Sequence, residues 1–272
     1  MNKGHVKTGT LTDSDIIEFA TAGHLITENF YDKQAKQACY ELRASNIYYY
    51  PLESTTRQTV DEGSYILIKP KQIVVIITLE SIHLDDDILA RILTKGKLFS
   101  IGLSAVNTYA DPGFDGNLGI VLCNLSNNYL KIYPNEGIAK IEFTRLSAPV
   151  KTRYNGQHGY RTEIWPIPIE MILTAGDITK DKRIGNPIDE IRLSFGEQIA
   201  TLVERICKFE RYLLIFASLY FVFTFSIYFY LSCQNSSSSS WKDSLVASGL
   251  GVAGSLIASI IVYYATIIRR QK

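Results

Sequence analysis

The residues best suited to chemistry in this sequence lie in one short segment, Asp111–Asn117, which reads Asp-Pro-Gly-Phe-Asp-Gly-Asn. Pro fixes φ and Gly permits positive φ, so the segment predicts a sharp reversal between two strands, the apolar runs Ile101–Val106 and Leu118–Leu122. The turn brings the carboxylate of Asp111 near the ring of Phe114. This pair suits a nucleoside sugar, because the ring packs on the ribose and the acid binds a hydroxyl or positions a water. The alternative is a bare hairpin turn without a chemical role.

Four segments, in the same order and at similar spacing, resemble the dCTP deaminase branch of the trimeric dUTPase superfamily. They are Cys39–Arg43 (S-Y-D-L-R in the family), Thr78–Leu84 (T-L-E-x-x-x-L), Ile101–Ser104 with Asp111–Asn117 (L-G-L and D-P-G-F-E-G-N), and Arg153–Gly159 (K-Y-x-G-Q-x-G). The likeness extends from about Leu11 to Gly159. It implies a mainly β fold, a dUTPase-like distorted barrel or jelly roll that assembles as a trimer or a larger homo-oligomer.

The resemblance also implies a nucleotide site, in which cations hold the phosphates while the acid and the ring hold the sugar. The expected members are Asp111, Phe114, Lys95, Lys97, Arg153, Tyr154 and Gln157. Tyr154 can equally be a packing residue at a subunit interface, and His158 is interpreted as an exposed loop residue outside the site. No metal site is expected, and the one cofactor considered is Mg²⁺ accompanying the nucleotide phosphates.

The deaminase chemistry of the family needs groups that this sequence lacks. The position of the family's catalytic glutamate, counted from the motif Asp, falls on Val121, and a branched hydrocarbon cannot shuttle a proton. The motif R-S-S-x-A-R, which positions phosphates and the reacting water in the family, is replaced by Lys95–Ser100. We therefore expect no deamination and assign no catalytic residue.

A diphosphatase is the other enzymatic possibility. Gly116–Leu122 also resembles the G-N-x-G-V-V-L strand of the dUTPase branch, which naturally carries valine at the position of Val121. The catalytic base of that branch aligns with Asp111. Its R-S-G-x-A motif and its Gly-rich C-terminal arm are not found in the sequence, so the pattern favours a protein without this activity.

Composition argues against several other classes of protein. The 272 residues include 28 basic and 27 acidic ones, and a net charge of +1 gives no bulk field that would recruit nucleic acid. The four cysteines have no C-x-x-C spacing, which argues against a zinc site or a disulfide framework. Met1–Asp15 is polar and does not resemble a secretory signal, so the N-terminal domain is expected in the cytosol.

Short β-branched and aromatic runs, separated by turn residues, predict an all-β barrel or double-sheet fold. The predicted strands are Ile47–Tyr50, Tyr65–Ile68, Ile73–Leu79, Leu98–Val106, Leu118–Asn124, Leu130–Tyr133 and Ile138–Phe143.

Two helices are expected in the same region. The first covers Asp15–Ala22 and is capped by Thr12 or Asp13. The second is a short helix over Ile88–Leu93. His83 and the acidic run Asp85–Asp87 lie before this helix. We interpret them as a solvated loop rather than a metal cluster.

A helix is predicted to begin at Asn186-Pro187, because Asn is a good cap and Pro suits the first helical position. Apolar residues then recur at heptad-like spacing with one stutter, at Ile188, Ile191, Phe195, Ile199, Leu202, Ile206 and Phe209. This pattern is typical of a coiled-coil stalk, and the alternative is a lone helix packed on the β domain. The predicted β domain therefore covers 1–175, and the linker and stalk cover 176–211.

Two uncharged stretches follow, Tyr212–Leu231 and Val246–Ile268, each long enough for a transmembrane helix. Together they form a predicted hairpin, 212–268, followed by a basic tail, 269–272. Basic residues flank the pair while the loop carries only one lysine, so both termini are expected on the cytosolic side of the cell membrane. A stripe of small residues that would let helices approach closely recurs in the second span at Ala247, Gly251, Ser255 and Ser259.

The leading hypothesis is a membrane-anchored nucleotide sensor, in which a catalytically inactive deaminase-like domain controls a membrane-disrupting two-helix module. This plan is similar to membrane effectors of bacterial nucleotide-signalling immunity against phage, which implies a cyclic oligonucleotide as a possible ligand and a partner enzyme that synthesises it. The second hypothesis is an active membrane-bound dCTP deaminase or dUTP diphosphatase. The third is a structural membrane protein that uses the barrel only to oligomerise.

Overall fold

The computed structural model describes residues 8–156 and 164–233, together with 247–249, 251–252, 254–255 and 258–259. The chain divides into two compact units, Met1–Ile169 and Glu170–Lys272. The first is a mainly β half-barrel and the second contains a long helix, so the prediction of a mainly β fold followed by a helix is confirmed.

The first unit consists of short strands joined by turns. In its described part the strands are β1 (Gly9–Thr10), β2 (Leu25–Glu28), β3 (Ala35–Lys36), β4 (Cys39–Tyr50), β5 (Ser54–Thr59), β6 (Ile66–Ile68), β7 (Ile73–His83), β8 (Ile88–Thr94), β9 (Leu103–Ala105), β10 (Thr108–Ala110), β11 (Asp115–Asn124), β12 (Leu130–Ile132) and β13 (Gly137–Arg145). The helices are α1 (Asp13–Thr21) and the short α2 (Gly96–Phe99), with a 3-10 turn at Asp32–Gln34.

The strands form one antiparallel sheet in the order β10-β8-β13-β4-β7-β11-β9. β1 adds to β13, β2 to β7, and β3 and β5 to β4, while β6 and β12 form a separate pair. The central strand β7 is buried on both faces: Val74 and Ile76 point into the main core, and Val75 and Ile77 belong to a second apolar cluster on the other face. Burial on both faces explains why β7 is an almost continuous apolar run.

Helix α1 confirms the first predicted helix, with a start two residues earlier than expected. Thr12 caps it through a reciprocal capping box, in which the Thr12 side chain accepts from the backbone N–H of Asp15 and the Asp15 carboxylate accepts from the backbone N–H of Thr12. Ile16 and Ala20 are its buried residues.

The second predicted helix is wrong, because Ile88–Leu93 lies within strand β8. Its side chains alternate, with Ile88, Ala90 and Ile92 buried, and β8 pairs with β13 on one side and β10 on the other. The predicted strand Leu98–Val106 is also wrong over its first half, which forms α2 and a turn before β9. In the first of these places, pairing with distant strands decided the structure over the local apolar pattern.

The second unit contains α3 (Ala175–Lys180), α4 (Pro187–Phe195) and α5 (Glu197–Cys233), after a 3-10 turn at Ile169–Met171 that spans the unit boundary. The predicted helix start is confirmed, since the side chain of Asn186 accepts hydrogen bonds from the backbone N–H groups of Ile188 and Asp189. The helix predicted over these residues is not continuous, because Gly196, at φ +88°, ends α4 and separates it from α5. The predicted heptad series therefore crosses a break between two helices.

Within the described ranges, none of the helices combines the length and the uninterrupted hydrophobicity that a bilayer-crossing segment requires. The predicted first span lies in α5, and much of the predicted second span lies outside the described residues. The small residues Ala247, Gly251, Ser255 and Ser259 are described, and all are helical. The hydroxyls of Ser255 and Ser259 donate to backbone carbonyls of their own helix.

Candidate functional site

The predicted turn at Asp111–Phe114 is confirmed. The backbone N–H of Phe114 donates to the carbonyl of Asp111 at 3.0 Å, and Gly113 has φ +93°, a conformation that favours glycine. The flanking strands do not form a hairpin, because β10 pairs with β8 while β11 pairs with β7 and β9. The turn therefore joins two regions of the sheet and leaves the side chain of Asp111 exposed.

The ring of Phe114 lies in the core, which corrects the expectation of an open apolar face for a sugar. Phe114 is 5% exposed, and its ring centroid lies 5.9 Å from that of Tyr154. The backbone N–H of Tyr154 donates to the carbonyl of Pro112 at 3.0 Å, and Leu84 exchanges backbone hydrogen bonds with Gly113 and Phe114. The contact between the two rings and these backbone hydrogen bonds thus hold the turn in place.

Arg153 lies directly over the turn. A Cβ atom at position 113 would overlap the side chain of Arg153, so the absence of a side chain on Gly113 is what allows the close approach. The Nε of Arg153 lies 3.0 Å from Oδ1 of Asp86. Arg153, a predicted phosphate-binding residue, therefore lies at the same turn that carries Asp111, the predicted sugar-binding acid.

The acidic run before β8 is paired rather than simply solvated. Asp86 contacts Arg153, and Asp87 lies 2.8 Å from Nε of Arg145. The backbone carbonyls of the same two aspartates accept from Val150 and Leu146. Across the described ranges, no group of three or more His, Cys, Asp or Glu residues is placed to hold a metal ion.

Lys95 and Lys97 lie far from the turn within one chain. Ala110 pairs with Ala90 in β8, and Lys95 directly follows the end of that strand, five residues after Ala90 and about 16 Å away at the rise of a strand. The ammonium of Lys95 lies 3.0 Å from the carboxylate of Glu41. Burial alone would raise the pKa of Glu41, but the hydrogen bond and charge of Lys95 hold it below its ordinary value. Lys97 is exposed on α2.

The remaining predicted phosphate ligand, Gln157, and the neighbouring His158 lie outside the described residues. Of the predicted set, the structure brings together Asp111, Phe114, Tyr154 and Arg153. It does not bring Lys95 or Lys97 to them within one chain.

Comparison with known proteins identifies the family. Residues 10–146 match the family described as dCTP deaminase-like, which is half of the chain. The chain belongs to this family. It is 31% identical over 134 residues to a dCTP deaminase of Thermococcus kodakarensis, covering 49% of this chain and 84% of the relative. It is 27% identical over 168 residues to a dUMP-forming dCTP deaminase of Dictyoglomus thermophilum, covering 55% and 87%.

Solved structures of two kinds are similar at low identity. A dCTP deaminase from Agrobacterium tumefaciens has a TM-score of 0.45 at 14% identity, covering 51% of this chain and 48% of that one. An EIAV dUTPase has a TM-score of 0.30 at 14% identity, covering 42% and 95%.

Two of the family segments meet in a buried ion pair that sequence reasoning missed. Glu80 is fully buried; its carboxylate accepts from Nε of Arg43 at 2.7 Å and from the backbone N–H of Arg43 at 2.9 Å. The hydroxyl of Tyr40 donates to the same carboxylate at 3.3 Å. Burial and then the charge of Glu80 raise the pKa of Tyr40 to about 12. The sequence signal that could have predicted this ion pair is Glu80 itself, an acid within the apolar run of β7.

The motif residue Asn117 also has a structural role in this family member. The pairing of β11 with β7 is irregular between Asn117 and Gly119. The side-chain amide of Asn117 donates to the carbonyls of Thr78 and Glu80 at 3.1 and 3.0 Å, and the hydroxyl of Thr78 accepts from the backbone N–H of Leu118 at 2.9 Å. These bonds satisfy backbone groups that the irregularity would otherwise leave unpaired.

Val121 packs on the second apolar cluster, formed by Tyr49, Val75 and Ile77. It is paired with Val75 across β11 and β7. Position 121, where the family resemblance implies a glutamate, is therefore a valine packed among apolar side chains.

Proposed function

We propose that the β unit binds a nucleotide without deaminating it, and that the bound state controls a membrane-inserted C-terminal module. The observation that carries the proposal is the position of Arg153 over the turn that presents Asp111. A guanidinium binds phosphate oxygens in a bidentate manner, and a carboxylate accepts from a sugar hydroxyl. The family membership supports the ligand class, since the relatives are named for dCTP.

The proposal excludes deamination by the family route because Val121 has no proton to exchange. The segment Lys95–Ser100 lacks the serines and the second arginine of the family motif, and Lys95 is paired with Glu41. The alternative is an active membrane-bound dCTP deaminase or dUTP diphosphatase, which the names of the relatives favour. In a diphosphatase the base would be Asp111.

A homo-oligomer, with a trimer as the expected size and a closed jelly-roll fold in each subunit, would complete the site. The separation of Lys95 and Lys97 from Asp111 supports this arrangement, because a neighbouring subunit can supply the cations that one chain keeps distant. Lys97, exposed on α2, is the better placed of the two.

We further propose that Tyr212–Leu231 and Val246–Ile268 cross the cell membrane with both termini in the cytosol. The twenty residues of the first span carry no charge, and Arg205, Lys208 and Arg211 precede it. A membrane-disrupting effector of antiphage defence, answering a nucleotide made by a partner enzyme, fits this plan. Control requires the ligand to bind two states of the assembly with different affinities.

Nucleotide binding is expected to fall by about ten- to a hundredfold in Arg153→Gln, since losing a charged hydrogen-bond partner costs about 1.5–3 kcal/mol. The side chains of Arg153 and Asp86 are each about half exposed, at 56% and 46%, so we expect the ion pair to contribute little to folding and the variant to remain folded. Titration calorimetry of the full-length protein in detergent with dCTP, dUTP and a cyclic dinucleotide measures the affinities. Light scattering on the same sample gives the oligomer size.

The control for this experiment is Arg91→Gln, which removes a partly exposed arginine paired with Glu142 on another part of the sheet. Equal affinities in the two variants would refute the role of Arg153. Turnover of a nucleotide would support the hypothesis of an active enzyme. The absence of both binding and turnover would support the hypothesis of a structural membrane protein that uses the barrel only to oligomerise.

The membrane proposal predicts that the full-length protein stays in the membrane fraction after a sodium carbonate wash. Leu219→Asp should release it or block its insertion, because a carboxylate at the centre of a span costs about 2.5–3.5 kcal/mol. Leu193→Asp is the matched control, since Leu193 is an exposed leucine of α4 outside the predicted span. Wild-type protein recovered in the carbonate supernatant would refute the proposal.

A further inference from the structure

A cavity whose lining does not include the Asp111 turn lies on the face of the sheet that carries the Val121 cluster. Its volume is about 290 Å³. It lies among strands β4, β5, β7 and β11 and is lined by Ser45, Ile47, Arg57, Ile77, Thr78, Leu79 and Asn117.

Two irregularities in strand pairing open this pocket on both sides of β7. On one side, the pairing moves from Ala44 with Thr78 to Tyr48 with Ile76, so that residues 45–47 lie opposite Ile77 alone. On the other side, residues 78–80 lie opposite Leu118 alone. Such irregularities spread neighbouring strands and redirect their side chains, and they are frequent next to binding sites.

The lining combines apolar side chains with one cationic residue. Ile47 and Ile77 are the apolar part, here called the floor, and Arg57, on β5, is the cationic residue. Thr78 and Asn117 direct their polar groups to the backbone of the irregularity, so they shape the pocket. The hydroxyl of Ser45 accepts from the backbone N–H of Ile47 at 3.1 Å and can donate to a ligand.

Trp165 lies on the continuation of the same floor. Its backbone N–H donates to the carbonyl of Thr55 at 2.8 Å, so residues 164–165 add to β5, the strand that carries Arg57. Its ring centroid lies 5.5 Å from that of Tyr49. Ile77 belongs both to the pocket and to the cluster on which Trp165 packs.

We propose that this cavity, the Arg57 pocket, binds a single nucleotide, with the base on Ile47 and Ile77 and the phosphate at Arg57. A flat ring matches the apolar floor, and arginine is the residue best suited to phosphate. The volume of about 290 Å³ lies just below the usual range of ligand pockets, about 300–1,000 Å³, and for this reason we take a mononucleotide, not a dinucleotide, as the ligand. The choice of a nucleotide as ligand rests on the proposed function, whereas the location of the pocket does not.

Occupancy of the Arg57 pocket acts on Trp165, because the two share Ile77 and the strand β5. The segment that holds Trp165 is followed in the chain by the helical unit that begins at Glu170. Trp165 is therefore expected to report on occupancy of the pocket.

The test uses the full-length protein in detergent with Trp241→Phe, which leaves Trp165 as the one tryptophan of the two in the sequence. Titration with dCMP is expected to change the Trp165 emission. Arg57→Gln should weaken that response at least tenfold, while Arg91→Gln leaves it unchanged. Inorganic phosphate at the same concentrations should give a weaker response than dCMP, because it lacks the base.

The outcomes separate this inference from the proposed function. A loss of the response in Arg57→Gln but not in Arg153→Gln supports the Arg57 pocket. A loss in Arg153→Gln with wild-type behaviour of Arg57→Gln refutes it and leaves the proposed function standing. Absence of any dCMP response in a folded wild-type protein that binds nucleotide by calorimetry also refutes it. If no nucleotide binds by either method, both proposals fail.

Discussion

Glu80→Gln is expected to lower the free energy of unfolding by about 3–5 kcal/mol, since removing one partner of a buried ion pair leaves the other charge uncompensated. Glu80 is fully buried, and Arg43 is largely buried beside it. The substitution keeps the shape of the side chain, so the effect measures lost charge rather than a cavity. Urea unfolding of the full-length protein, followed by the emission of Trp165 in a Trp241→Phe background, gives the value.

Glu142→Gln is the matched control, because Glu142 forms a partly exposed pair with Arg91 at 2.8 Å in the same sheet. Its cost should stay below about 1 kcal/mol. The double variant Arg43→Met, Glu80→Leu should be more stable than Glu80→Gln, since an apolar pair leaves no buried charge. Equal stability of Glu80→Gln and Glu142→Gln would contradict this account of the two motifs.

The same cluster gives a dependence on alkaline pH. Tyr40 has a pKa of about 12 in the folded protein, whereas a tyrosine in an unfolded chain ionises near 10. The folded state therefore disfavours the tyrosinate, and stability should fall as the pH rises from about 10 to about 12. In Glu80→Gln, Tyr40 remains buried but the neighbouring negative charge is removed, so its pKa should be raised less. The loss of stability at alkaline pH should therefore be smaller in this variant than in the wild type.

The comparison of sequence with structure shows where local patterns suffice. The Asp111 turn was predictable because Pro112 and Gly113 restrict the backbone whatever surrounds them. Helix α1 was predictable from its cap for the same reason. Ile88–Leu93 was not, because its apolar residues fit both a helix and a strand, and pairing with β13 decided between them.

The candidate site was predictable only where its residues are close in the chain or carry a motif. Asp111 and Arg153 came from motifs, yet the burial of Phe114 depends on Tyr154, forty residues later. The partner of Glu80 lies thirty-seven residues earlier, and no local pattern identifies it. Arg57 had no signal in the sequence, since its pocket exists only where irregular strand pairing opens the sheet.

Wild-type protein is expected to convert no dCTP to dUTP or dUMP above an enzyme-free blank. Enzymes accelerate such reactions by about a millionfold or more, so a domain that has Val121 in place of a proton-transferring group, as we propose, should show no measurable deamination. Val121→Glu should not restore activity. A carboxyl group among Tyr49, Val75 and Ile77 would have a raised pKa from desolvation, and the segment Lys95–Ser100 still lacks the positioning groups.

The measurement is chromatographic separation of nucleotides after long incubation of the full-length protein in detergent with Mg²⁺ and either dCTP or dUTP. The dCTP deaminase of Thermococcus kodakarensis serves as the positive control. Asp111→Asn identifies any diphosphatase activity, because pyrophosphate released from dUTP by wild type and not by this variant would assign the base. Conversion of dCTP by the wild-type chain would refute the proposal of a domain without deaminase activity, because a group other than the side chain at position 121 would then have to transfer the proton.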